Sequence, residues 1–208
     1  MKIEPKDRGQ TGAQNSTQTA DFRLTLRTIF LDRDGVINRK MPEGQYVTSW
    51  RHFELLPGIP EAIARLNRAG LRVLVVTNQR GIALGRYTAA DVEDIHSQMQ
   101  RVLSVSGAHV DGLYFCPHDK RQCDCRKPLP GLFEQAQKQF PKIAAASSLV
   151  IGDSLSDIEF GRNLSMHSIF IEGDESHRRH QKPGAQKAAD LADLRFPSLP
   201  DAVNYLLA

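Results

Sequence analysis

Short apolar runs alternate with amphipathic stretches along most of the chain. Thr28 to Leu31 (TIFL) is an unbroken run that stops at Asp32, the pattern of a buried strand. Leu71 to Val76, Val110 to Phe115, Ser148 to Gly152 and Ser168 to Ile171 repeat it, the first of these ending at Thr77-Asn78 and the third at Asp153. Between them lie helical patterns. Ile59, Ala62, Ile63 and Leu66 recur at helical spacing and Gly70 closes the stretch; Thr88 caps a longer one with Val92, Ile95, Met99 and Val102 as its stripe. Leu132–Phe140, a segment ending near Leu164 and a last one over Asp201–Leu207 complete the set. Strands apolar on both faces, alternating with helices, predict an α/β fold with a doubly wound parallel sheet.

Residues 1–22 are polar and rich in Gln, Thr, Ser and Gly, and are expected to form a flexible tail before a single domain over 23–208. The stretch from Glu175 to Lys187 is polar and basic and reads as loop. The 208 residues are 40% hydrophobic and 25% charged, ordinary for a globular chain, with a net charge of +3. That balance argues against a nucleic-acid footprint and against a membrane surface, and it suits small anionic substrates. No secretory signal or membrane-length apolar run is visible, so a cytoplasmic location is expected.

Chemistry in such sheets gathers beyond the carboxyl ends of the strands. Two strands end there in acid, at Asp32 and Asp153, and FLDRDGVIN adds Asp34. A single carboxylate after a strand is as readily a turn former or cap. Acids converging on one small volume repel unless a cation lies between them, and Mg²⁺ is the usual oxygen-preferring choice. Asp157 reads more simply as the first-turn partner of Ser154 than as a ligand. The three cysteines fall together in Cys116-Pro-His118-x4-Cys123-x-Cys125, an odd count that suits a metal site better than disulfides. Three thiolates and one imidazole make a closed tetrahedral set, so a structural Zn²⁺ is expected. The other histidines have no ligand spacing.

FLDRDGVIN, VVTNQRG, CRKP and VIGDSLSD resemble, in order and spacing, the four motifs of the haloacid dehalogenase-like phosphotransferases. The resemblance spans about residues 28–171 and implies a Rossmannoid phosphatase without a large cap. It implies that Asp32 is the nucleophile and Asp34 the general acid and base. Thr77 would hold the phosphoryl group and Lys127 would neutralise its charge. Mg²⁺ would sit on Asp32, Asp153 and the main-chain carbonyl of Asp34. A zinc loop ending in CDCRKP resembles the branch of heptose-bisphosphate and histidinol-phosphate phosphatases. That branch implies hydrolysis of the 7-phosphate of a heptose bisphosphate, or of histidinol phosphate or another small phosphomonoester. The partner is then a small phosphorylated sugar or amino alcohol, and the protein a monomer. The implied substrate contacts are Arg33, Glu43, Gly44, Gln45, Tyr46, Asn78, Gln79, Arg80, Arg126 and Ser154. The branch commonly carries a lysine where Ser154 stands, and Arg80 is the candidate to replace that cation.

A phosphoaspartyl switch shares the acids, the Thr and the Lys, but an acid two residues beyond the nucleophile speeds turnover, which a timer does not want. A zinc-ribbon nucleic-acid module would need an aromatic and basic stripe that the chain lacks.

Overall fold

A computed structural model describes residues 21–174 and 184–208. The tail through residue 20 and residues 175–183 of the basic stretch lie outside them; residues 185–187, at the end of that stretch, fall in a helix. Six strands form one parallel sheet: β1 (Thr28–Leu31), β2 (Arg72–Asn78), β3 (Gly112–Cys116), β4 (Ser148–Gly152), β5 (His167–Ile171) and β6 (Leu194–Phe196), in the order β3-β2-β1-β4-β5-β6. The helices are α1 (Ile59–Arg68), α2 (Ala89–Val105), α3 (Gly131–Gln139), α4 (Leu155–Asn163), α5 (Ala185–Leu191) and α6 (Leu199–Leu206).

Alternation along the central strands sorts side chains to the two faces. Ile29 and Leu31 of β1, with Val73, Val75, Leu149 and Ile151, pack on Ile63 and Leu66 of α1, Ile95 and Met99 of α2 and Val203 of α6. Phe30, Leu74, Val76 and Val150 face the other way, against Leu132 and Phe133 of α3 and Phe160 of α4. Both faces are therefore covered, as the unbroken apolar strands require. Within α2 the buried stripe runs Val92, Ile95, His96, Met99 and Leu103, whereas Val102, expected on it, is 39% exposed. At 100° per residue Leu103 is the better continuation from Met99.

Strand order reverses between β1 and β4. Leu31 pairs with Val75 on one side and Ile151 on the other. The residues that follow, Asp32 and Asp153, therefore emerge together at the switch point, where the crevice of such a sheet opens. No inserted domain interrupts β1 to β2 or β2 to β3. Among the described residues, no helix is long and apolar enough to cross a membrane.

Candidate active site

Carboxylate oxygens of Asp32, Asp153 and Asp157 lie within 4.8 Å of one another at the end of β1 and β4, and all three residues are buried. Two ammonium groups face them. Lys127 Nζ donates to Asp32 Oδ1 at 2.9 Å and to the Val76 carbonyl at 2.5 Å, and stands 2.6 Å from Asp157 Oδ1. Lys40 Nζ, from the loop after β1, pairs with Asp153 Oδ2. Burial pushes the Asp32 carboxyl up to about 6 against the pull of Lys127, and Asp157, Asp153 and Asp34 add to the rise. Burial works against the Lys127 ammonium, but Asp157 and Asp32 outweigh it and hold its proton more tightly than usual.

The local sequence explains the placement. The side chain of Asn78, last residue of β2, clasps the Lys127 backbone: Nδ2 donates to the Lys127 carbonyl at 3.1 Å and Oδ1 accepts from its N–H at 3.0 Å. Asn78 therefore positions the lysine, where a substrate contact had been expected. Asp157 occupies space that a side chain at 152 would fill. A β-carbon on Gly152 would stand 2.2–2.6 Å from the Asp157 side chain, closer than real Cβ contacts come. Ser154 Oγ and N–H both donate to Asp157 Oδ2, at 2.5 and 3.1 Å. Ser154 is thus committed to Asp157 and 5% exposed, not turned to a substrate. Asp157 in turn anchors Lys127.

Asp34 is not part of that cluster of three. Arg33 Nη2 donates to both of its oxygens at 2.9 Å, with Asn38 Nδ2 and Gln79 Nε2 each at 3.0 Å. Burial raises this carboxyl, yet Arg33, Asn38 and Gln79 outweigh it and keep it below the ordinary carboxylate value. Two residues expected as substrate contacts are bonded within the protein here. Arg33 is 1% exposed, spent on Asp34 and beside His96 Nε2 at 3.5 Å. Gln79 is 2% exposed, bridging Asp34 and Thr77 Oγ1 (2.9 Å) while accepting from Tyr87 Oη (2.7 Å). Thr77, the residue before the last of β2, is buried.

Arg80, expected to replace the cation missing at 154, has its guanidinium held by Asp119 of the cysteine loop, Nε to Oδ1 at 2.5 Å and Nη2 to Oδ2 at 3.1 Å. Lys40, which sequence reasoning passed over in a polar loop, is a cation at Asp153. Gly44, Gln45 and Tyr46 line an open recess of about 440 Å³ with Thr48, His52 and Arg86; Glu43 is exposed outside that lining. Arg126 is half-buried, with Nη1 3.4 Å from the His118 carbonyl.

Cys116, His118, Cys123 and Cys125 converge between β3 and α3, their ligand atoms within 4.8 Å of one another. Cys123 Sγ lies 3.5 Å from Cys116 Sγ and 3.4 Å from Cys125 Sγ, and His118 Nδ1 lies 3.3 Å from Cys125 Sγ. These separations far exceed the ~2.05 Å of a disulfide. They approach the ~3.8 Å edge of a tetrahedron with ~2.3 Å zinc–sulfur bonds, so the set fits a structural zinc. The buried carboxylates Asp32 and Asp153 are hard oxygen donors and fit magnesium.

A family model described as "HAD-hyrolase-like" matches residues 124–197. A D-glycero-alpha-D-manno-heptose-1,7-bisphosphate 7-phosphatase of Mycobacterium bovis is 45% identical over 138 residues, covering 66% of this chain and 72% of that protein. A D-glycero-beta-D-manno-heptose-1,7-bisphosphate 7-phosphatase of Escherichia coli is 36% identical over 185 residues, covering 85% and 92%. The crystal structure of D,D-heptose 1,7-bisphosphate phosphatase from B. bronchiseptica, complexed with magnesium and phosphate, superposes with a TM-score of 0.76 at 31% identity, covering 88% of this chain and 98% of that one. The fold and its acid cluster define a phosphoric monoester hydrolase. The chain belongs to the haloacid dehalogenase-like phosphatases, in the family of the heptose-1,7-bisphosphate 7-phosphatases.

Proposed function

We propose that this enzyme removes the 7-phosphate of D-glycero-D-manno-heptose 1,7-bisphosphate through an aspartyl-phosphate on Asp32. The observation that carries the reading is the buried Asp32 carboxylate, held by Lys127 at the strand-order switch, in a chain whose relatives act on that sugar. Asp32 attacks phosphorus, the bond from phosphorus to the C7 oxygen breaks, and Asp34 gives a proton to the leaving alkoxide. Asp34 is ionised while Arg33 holds it. A phosphate dianion arriving nearby favours its protonated form, which readies it as the acid. In the second step Asp34 takes a proton from water, the water oxygen bonds to phosphorus, and the Asp32–phosphorus bond breaks to release inorganic phosphate. Lys127 balances charge on nucleophile and phosphoryl group throughout, and Thr77 offers its hydroxyl beside them.

Asp32 and Asp153, with the Asp34 carbonyl, would hold a magnesium ion, which when bound neutralises phosphoryl oxygens. The Cys116, His118, Cys123 and Cys125 set would hold zinc and so fix the loop that leads into Arg126 and Lys127. The recess along Gly44, Gln45 and Tyr46, with Glu43 at its margin and Arg126 beyond the metal loop, would meet the far end of the sugar. Free thiols kept as ligands suit the reducing cytoplasm.

The test is phosphate release from both anomers of heptose 1,7-bisphosphate, from histidinol phosphate and from fructose 1,6-bisphosphate, with Asp32→Asn as the blank. One heptose anomer should give the highest kcat/KM and one phosphate per molecule, and the variant should give none above background. Faster release from histidinol phosphate would move the enzyme to the sister activity.

A further inference from the structure

Lys40 is the feature of the site that the family motifs do not account for. It lies eight residues after the nucleophile in a loop of charged and polar residues, where a lysine is ordinarily solvated. Here it is 8% exposed and its ammonium is bonded to Asp153, facing Asp32 and Asp157 behind it. The backbone leading into it is fixed. Arg39 N–H donates to the Glu54 carbonyl at 2.8 Å, Leu56 N–H to the Ile37 carbonyl at 3.0 Å, and Asn38 Nδ2 to the Arg39 carbonyl at 2.9 Å. The lysine is therefore delivered to the acids by a pinned loop.

Among the described residues, Lys40 and Lys127 face these three carboxylates, and Lys40 is bonded to Asp153. A divalent cation on Asp153 would take the carboxylate that Lys40 now neutralises. Two cations cannot share that carboxylate closely without repulsion, so the ammonium needs a new counter-ion, and a phosphoryl group is the anion this pocket admits. We propose that Lys40 is a second phosphate-binding cation of this site, neutralising Asp153 until a divalent cation displaces it and pairing thereafter with the phosphoryl oxygens. It thus supplies from the β1 loop the positive charge that position 154 lacks. The inference rests on the acid cluster being the phosphoryl-transfer site.

Lys40 then has effects of opposite sign on the two ligands, which a merely structural lysine would not. Calorimetric titration would measure MgCl2 alone, then inorganic phosphate at saturating Mg²⁺, on wild type, Lys40→Met and Lys40→Arg, with Lys40→Gln in reserve should the methionine variant fold poorly by circular dichroism. Removing the ammonium should tighten Mg²⁺ about fivefold and weaken phosphate about tenfold or more, while Lys40→Arg restores most of the phosphate affinity. Unchanged affinities, or both affinities weakened together, overturn the proposal. A wild type that binds no phosphate at all would instead reject the phosphatase reading. Neither readout requires turnover.

Discussion

Lys127 shows how much one buried charge depends on its neighbours. It touches two carboxylates and a carbonyl and is 3% exposed. Lys127→Met would leave Asp32 and Asp157 facing each other without the counter-ion bonded to both, a loss of about 3–5 kcal/mol. Urea unfolding should record it, and the double variant Lys127→Met/Asp157→Asn should recover part of the stability while staying inactive. At this scale the sequence was readable where chemistry dictates residue type. Asp32, Asp153 and Lys127 converge as the motifs imply. It was not readable where the choice lay between two directions out of a loop. Arg33 and Gln79 read as substrate contacts in the sequence, and in the structure both bond to Asp34 where β1 and β2 lie side by side.

Among elements, the cysteine loop is the one whose rigidity reaches the chemistry. It runs from the last residue of β3 to the start of α3, and Gly131 is pressed so close to it that a β-carbon there would meet the Asp124 carbonyl at 2.7 Å and Cys125 Cα at 2.8 Å. Its Asp119 grips Arg80, and Lys127 follows two residues after the last cysteine. Metal analysis should find about one zinc per chain. Chelation should lower kcat even in excess Mg²⁺, because Lys127 then loses one of the supports that hold it. Cys123→Ser should reproduce that loss without chelator. Full activity in zinc-free protein would remove the loop from the catalytic account. The long apolar strands and amphipathic helices were plain in the sequence, whereas β6 and α5 were not. β6 is three residues at the sheet edge, Leu-Arg-Phe, too short for a period to register. α5 is seven residues that bury only Ala188 and Ala189, so its apolar face is too small to stand out from the basic stretch before it.

For the molecule as a whole, acid stability turns on a histidine held between layers. His96 of α2 stands against Phe115 of β3, ring centroids 6.1 Å apart, and beside Arg33 from the β1 loop. Burial, then the Arg33 charge, pulls its pKa down to about 3, from 6.5. Below pH 6.5 the unfolded chain binds a proton there that the folded chain refuses, so the stability this group contributes above that pH is lost as pH falls. Between pH 7 and pH 5 wild type should lose about 2 kcal/mol more than His96→Gln, read from urea midpoints of both proteins at both pH values. Parallel losses would show that the imidazole accepts a proton in place. A still smaller dimension governs what the active site tolerates. Gly152 offers room for a hydrogen atom and nothing larger before Asp157 is struck. In a library randomised at that codon and selected for phosphate release, glycine alone should survive, since even a methyl group would evict the acid that steadies Lys127.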